Sequence, residues 1–84
     1  MAVIYVANLE DFLGMLRRVG TQRYMLVKEV DEEGKTKYYL IPTVTSRHTH
    51  TYVYEVGKEE DVEAIEGAWR GTMISARKVE IAKW

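Results

Sequence analysis

The chain of 84 residues has no cysteine, which excludes a disulfide framework, a thiolate metal site and a thiol nucleophile together. It has one proline, Pro42, and no apolar run approaching the roughly 18 residues of a membrane-spanning helix. A basic-then-apolar leader and a lipidation signal are also missing, so the expected location is the cytoplasm. No phosphate loop or dinucleotide fingerprint occurs, and Ser46 and Ser75 sit in no nucleophile elbow. Asn8 and Gln22 are the single amides, and ten Glu stand against three Asp. That composition, poor in thermolabile residues and rich in charge, suggests a hot environment.

What is present describes one small α+β domain spanning residues 1–84. It is 46% hydrophobic and 30% charged, with a formal net charge of −1. A chain this short hides only about 60 to 65% of the surface that it exposes when unfolded. Without a staple it must pack very well or be completed by a partner, so a homo-oligomer, most simply a dimer, is expected.

Val3 to Val6 (VIYV) is a continuous run of strand formers and reads as a central strand with little solvent on either face. Asn8 follows as a helix N-cap with Asp11 three residues on, and Leu9, Phe12, Leu13, Leu16 and Val19 recur at helical spacing before Gly20. A helix is predicted over Leu9 to Val19, with Arg17 and Arg18 complementing the carboxyl end of its dipole. RYMLVKEV from Arg23 and TKYYLIPTV from Thr36 flank Asp31-Glu32-Glu33-Gly34 and predict a hairpin. A three-residue loop with Gly34 at positive φ would set Asp31 against Lys35 and Glu29 against Lys37, two opposite-charge pairs that no one-residue slip reproduces.

This register separates Met25, Val27, Tyr39 and Ile41 on one face from Tyr24, Leu26, Tyr38 and Leu40 on the other. Pro42 places its end of the strand at an edge or a bulge. His48 to Val56 (HTHTYVYEV) alternates strictly, with His48, His50, Tyr52, Tyr54 and Val56 on one side. Glu59, Glu60 and Asp61 open a second helix carrying Val62, Ile65, Ala68 and Trp69 at core spacing, and it stops at Gly71. Thr72 to Lys83 reads as a last strand with Trp84 packed at its end. The expected order is β-α-β-β-β-α-β, an antiparallel or mixed sheet of four to five strands with both helices on one face.

Two helices of about eleven residues, ~16 Å each, cover one face of such a sheet and not both. The hairpin is apolar on both sides, so a second copy or a ligand with flat apolar faces is expected on the open one. Charge is divided as well. Glu59 to Glu66 holds five acids and no base, which leaves the other residues with twelve bases against eight acids. Arg23, Lys28, Lys37, Arg47, His48, His50, Arg77 and Lys78 fall on or beside strands, where they can flank the exposed sheet surface.

His48 and His50 point to one side of a strand, but a metal site needs a third or fourth ligand for which only distant carboxylates such as Glu55 or Glu80 offer themselves. No metal and no cofactor is therefore expected, and with only two histidines to support phosphate-ester chemistry the chain reads as a binding module rather than an enzyme. For each tyrosine the plain reading is a strand residue buried with its hydroxyl bonded at the rim. The functional reading takes Tyr39, Tyr52 and Tyr54 as a stacking platform for unpaired bases, with Arg23, Lys37, Arg47, His48 and His50 meeting phosphates or base edges. If Tyr52 and Tyr54 lie under the helices, the contact set moves to Met25, Val27, Tyr39 and Ile41 with Arg23 and Lys37.

The pieces RYMLVKEV, KYYLIP and HTHTYVYEV, in a small sheet backed by helices on one side, resemble the archaeal single-strand DNA-binding proteins called ThermoDBP and their shorter relatives. The resemblance is one of architecture, covers Val3 to Lys83, and implies single-stranded DNA or RNA bound by a homo-oligomer with little sequence preference. The alternative is a structural homodimer or protein-interaction subunit that buries the same sheet face against another chain.

Overall fold

In a computed structural model the described residues are 4–44 and 50–76. They form β1 (Ile4–Val6), α1 (Leu9–Arg18), β2 (Tyr24–Val30), β3 (Thr36–Pro42), β4 (Thr51–Glu55), α2 (Glu59–Ala68) and β5 (Met73–Ala76), the element order that the sequence predicts. The strands make one five-stranded mixed sheet in the order β1-β4-β3-β2-β5. β1 runs parallel to β4 and β5 parallel to β2, while β3 is antiparallel to both of its neighbours.

Local chemistry explains the element ends. Asn8 Oδ1 accepts the Asp11 N–H at 2.8 Å, which satisfies one of the orphan donors at the start of α1. α2 has no side-chain cap, and the three acids of its first turn meet the positive end of its dipole instead. At the hairpin tip Asp31 Oδ1 accepts from the backbone N–H groups of Glu33 and Lys35, and Gly34 takes φ 83°, which a side chain would resist. The register that follows is the predicted one: Asp31 N–H donates to the Lys35 carbonyl, and Glu29 stands opposite Lys37. Pairing with β4 runs only as far as Leu40↔Tyr52, so the ladder stops before Pro42 would have to donate to it.

Both crossovers, through α1 and through α2, join parallel strands three positions apart and step across the sheet in the same direction. The right-handed preference of such connections then puts both helices on one face. Phe12 and Leu16 of α1, Ile65 of α2 and the following Trp69 pack there on Leu26, Tyr38 and Leu40. Trp69 is core, as its spacing predicts, and Gly71 leaves it room: a Cβ at Gly71 would lie 2.9 Å from the indole. Trp84 and the strand predicted beyond Ala76 lie outside the described residues.

The position of β1 corrects the sequence reading. The strand is an edge, not a centre, with Ile4, Tyr5 and Val6 exposed by 48%, 49% and 83%. Tyr5 and Val6 continue apolar positions of β4, Tyr52 and Val53, on opposite faces, and pattern alone cannot tell that from burial between two strands.

Candidate nucleic-acid interface

The alternation of β4 sends Tyr52 and Tyr54 to the helix side, opposite Leu40 and Tyr38, and Val53 to the other side, opposite Tyr39. A single platform of Tyr39, Tyr52 and Tyr54 is therefore not formed. The reason is the pairing parity: β3 and β4 meet so that Tyr39 aligns with an odd residue of β4, which the sequence could not specify without the β3–β4 register. Arg47 and His48 lie outside the described residues.

The face away from the helices is apolar across its middle. Val6, Val53, Tyr39, Val27 and Ile74 are successive partners across all five strands. Its central members Val27, Tyr39 and Val53 are already buried within one chain, packed with Met25, Ile41 and Ala76. The next row reads Glu55, Lys37, Glu29 and Ala76, so Lys37 stands between two carboxylates. Tyr39, the one ring on this face among the described residues, donates its hydroxyl to Glu29 at 3.1 Å. Burial first, then the bond and charge of Glu29, push its pKa up to about 12. A lysine flanked by two carboxylates in the register and a buried tyrosine tied to one of them make a poor seat for a polyanion.

On the helix side the tyrosines divide into two sets. Under α2, Tyr38 donates to Glu66 at 2.6 Å and Tyr54 to Asp61 at 2.5 Å, while Lys28 Nζ lies 3.2 Å from the same Glu66 oxygen. Burial and the neighbouring carboxylates raise the pKa of both phenols, and the Tyr38 bond, helped by Lys28, holds Glu66 below the usual carboxylate range. The Tyr54 ring leans on Phe12 with centroids 5.9 Å apart. These two are rim-bonded core residues, the plain reading of a strand tyrosine.

At the β1 edge the surroundings change. Tyr5 stacks on Tyr52, its register partner, with centroids 5.7 Å apart and planes 18° from parallel. His50 meets Tyr5 edge-on at 5.1 Å and Tyr52 at 6.5 Å. The Tyr52 phenol is raised mainly by burial, then by Tyr24 and Tyr5 beside it, and is drawn the other way by the Arg18 guanidinium. Arg18, Gln22, exposed Arg23 and Tyr24 line an open hollow at the same end of the sheet. The three rings of Tyr5, Tyr52 and His50 thus meet at the β1 edge, with the hollow of Arg18, Gln22, Arg23 and Tyr24 beyond them toward the start of β2.

Of the predicted contacts, the structure brings His50 and Tyr52 together here and places Arg23 next to Tyr24. It leaves Tyr54 under α2 and Tyr39 and Lys37 on the opposite face. Tyr5, Arg18 and Tyr24 are the additions. Tyr5 was hidden by the central-strand reading of VIYV, and Arg18 by the ordinary role of a cation at a helix end. The signal for Tyr5 is its parity, which becomes readable once β1 is paired in parallel with β4. Among the described residues no three His, Asp or Glu side chains converge to hold a metal ion, and no helix is long and apolar enough to cross a membrane. Comparison of the chain with protein-family models, with curated proteins and with solved structures gives no match.

Proposed function

We infer that this chain is a binding module for single-stranded nucleic acid, with little sequence preference, and that its binding surface is the β1 end of the helix-side face. The observation that supports this reading is the half-exposed Tyr5 ring, stacked on Tyr52 and braced by His50, with the charge of Arg18 felt at the Tyr52 phenol. A flat ring already held in place by another ring loses little freedom when an unpaired base lies against it, and stacking of that kind contributes about 1 to 3 kcal/mol per base whatever the base is. Arg18 and Arg23 supply the backbone charge neutralisation that a nucleic acid requires, and a ring free to stack favours the unpaired bases of a single strand.

The net charge of −1 does not oppose this. Five of the thirteen acids lie on α2, at the other end of the face, where Tyr38, Tyr54 and Lys28 occupy two of them. The test is a fluorescence titration of a labelled single-stranded oligonucleotide from about 50 to about 500 mM salt. Affinity is expected to fall steeply with salt and to weaken in Tyr5→Ala and Arg18→Gln. No measurable binding at the lowest salt overturns the reading, as does binding that is indifferent to both substitutions.

A further inference from the structure

β1 is an edge without the usual protection. It carries no charge, no proline and no bulge, and two of its three side chains are about half exposed while the third, Val6, is 83% exposed. Its hydrogen-bonding groups are also in a defined state. The Ala7 N–H donates to the Val53 carbonyl at 2.8 Å, so by alternation Tyr5 also turns its backbone groups toward β4, while Ile4 and Val6 turn theirs away from the sheet.

We propose that β1 pairs with β1 of a second copy of this chain, antiparallel and centred on Tyr5, so that two five-stranded sheets join into one. In that register Ile4 faces the partner's Val6 and Val6 faces the partner's Ile4, both as hydrogen-bonded pairs that use the four outward-facing groups of each edge. Tyr5 faces the partner's Tyr5 as the non-hydrogen-bonded pair between them. The match is self-complementary on both faces: Ile4 and Val6 meet their own kind on one, and the two Tyr5 rings meet on the other, with no like charges brought together. Three residues per edge bury less than the roughly 1,200 Å² of a standard stable interface, so the association is expected to be reversible and concentration-dependent.

The two-fold axis stands perpendicular to the joined sheet, which keeps both helix layers on one side. Tyr52, Tyr5 and their two counterparts then form a continuous strip across the junction. This consequence rests on the nucleic-acid reading above, and the edge pairing itself does not.

The test uses the lack of native cysteine. Non-hydrogen-bonded antiparallel partners have Cα atoms about 4.5 Å apart, within the disulfide range of about 4.4 to 6.8 Å. Tyr5→Cys is expected to give a covalent dimer under mild oxidation, and Ile74→Cys on the opposite edge is not. The unmodified chain is expected to sediment as a dimer that dissociates on dilution, and Val6→Lys as a monomer whose melting curve matches that of the unmodified chain diluted to its monomer. A chain that is monomeric up to its solubility limit, a dimer that survives Val6→Lys, or cross-linking through position 74 but not position 5 overturns the proposal. With oligonucleotides, Val6→Lys is expected to retain affinity for a short strand and to lose the gain that a longer one shows. Failure to bind any strand removes the functional reading alone, because sedimentation and cross-linking judge the edge without it.

Discussion

Tyr38 and Tyr54 at one end of the helix-side face and Tyr5, Tyr24 and Tyr52 at the other are the same residue type on the same layer of one sheet. Their neighbours separate them. Under α2 each hydroxyl meets a carboxylate and each ring is held in the core, whereas at the β1 edge Tyr5 and Tyr52 meet each other and His50, and the Tyr52 phenol feels Tyr24 and Arg18 only through their charge. The difference originates in the two helices. α1 ends on Arg17 and Arg18, and α2 carries five acids with no base in its last turn. The tyrosines of one sheet face are thus divided by the helices above them into a pair bonded to carboxylates and a pair that is not, which a single figure for net charge conceals.

The largest effect that tests this division is on stability. Tyr38 is fully buried, and Tyr38→Ala is expected to cost about 3 to 5 kcal/mol, with Glu66 left without its phenol partner. Tyr5→Ala removes a half-exposed edge ring and is expected to cost no more than about 1 kcal/mol, of the order of one aromatic pair. Urea unfolding of both variants checks the contrast. Affinity is expected to move the other way, with Tyr5→Ala losing about 1 to 3 kcal/mol of oligonucleotide binding. Arg18→Gln is expected to flatten the salt dependence by about 0.7 in the log–log slope, the share of one phosphate contact on a single strand. Equal losses of affinity in Tyr5→Ala and in Tyr54→Phe would erase the distinction between the two halves.

How much of this is legible in the residues alone depends on the range of the interaction. The Asn8 cap, the Gly34 loop and the Glu29–Lys37 register are settled within a few residues or across one tight turn, and they are read correctly from spacing. The element order and the placement of both helices on one side follow from periodicity and the limited reach of two short helices. The platform of Tyr39 with Tyr52 and Tyr54 fails because it needs the β3–β4 pairing, which is joined by no tight turn and fixed by contacts distant in sequence. The edge position of β1 fails for a related reason, since strand order is a property of the whole sheet. Tyr5 and Tyr52 are consequently visible as a stacked pair only in three dimensions.

The buried phenols also set a pH dependence. Tyr39 titrates at about 12 in the folded chain against an ordinary 10.0, and Tyr38 and Tyr54 are raised as well. A raised phenol favours the folded state while it is neutral, so this contribution is complete below pH 10 and is lost as the pH rises through the folded values. Melting temperature is therefore expected to drop between pH 10 and about 12. Tyr39→Phe is expected to flatten that slope by up to the equivalent of one proton, about 1.4 kcal/mol per pH unit. Glu66 acts in the opposite sense. Held low by Tyr38 and Lys28, it stabilises above 4.5, and its contribution disappears as the pH falls through its lowered value. Glu66→Gln is expected to remove that acid-side loss while leaving oligonucleotide binding intact, since it lies in the acidic half.

The smallest expected effect is the sharpest on electrostatics. Lys28 lies on the helix-side face, as Tyr52 does, but its ammonium sits 3.2 Å from Glu66 with both side chains partly exposed. A partly exposed ion pair contributes at most about 1 kcal/mol, so Lys28→Gln is expected to lower stability by a few tenths of that scale, near the limit of a urea titration. Its influence on a polyanion is offset by the carboxylate beside it, whereas the charge of Arg18 is felt at the Tyr52 phenol. Lys28→Gln should accordingly leave the salt slope of binding where it is, while Arg18→Gln reduces it. An equal reduction by both would mean that the strand runs over α2 as well, and that the acids there do not exclude it.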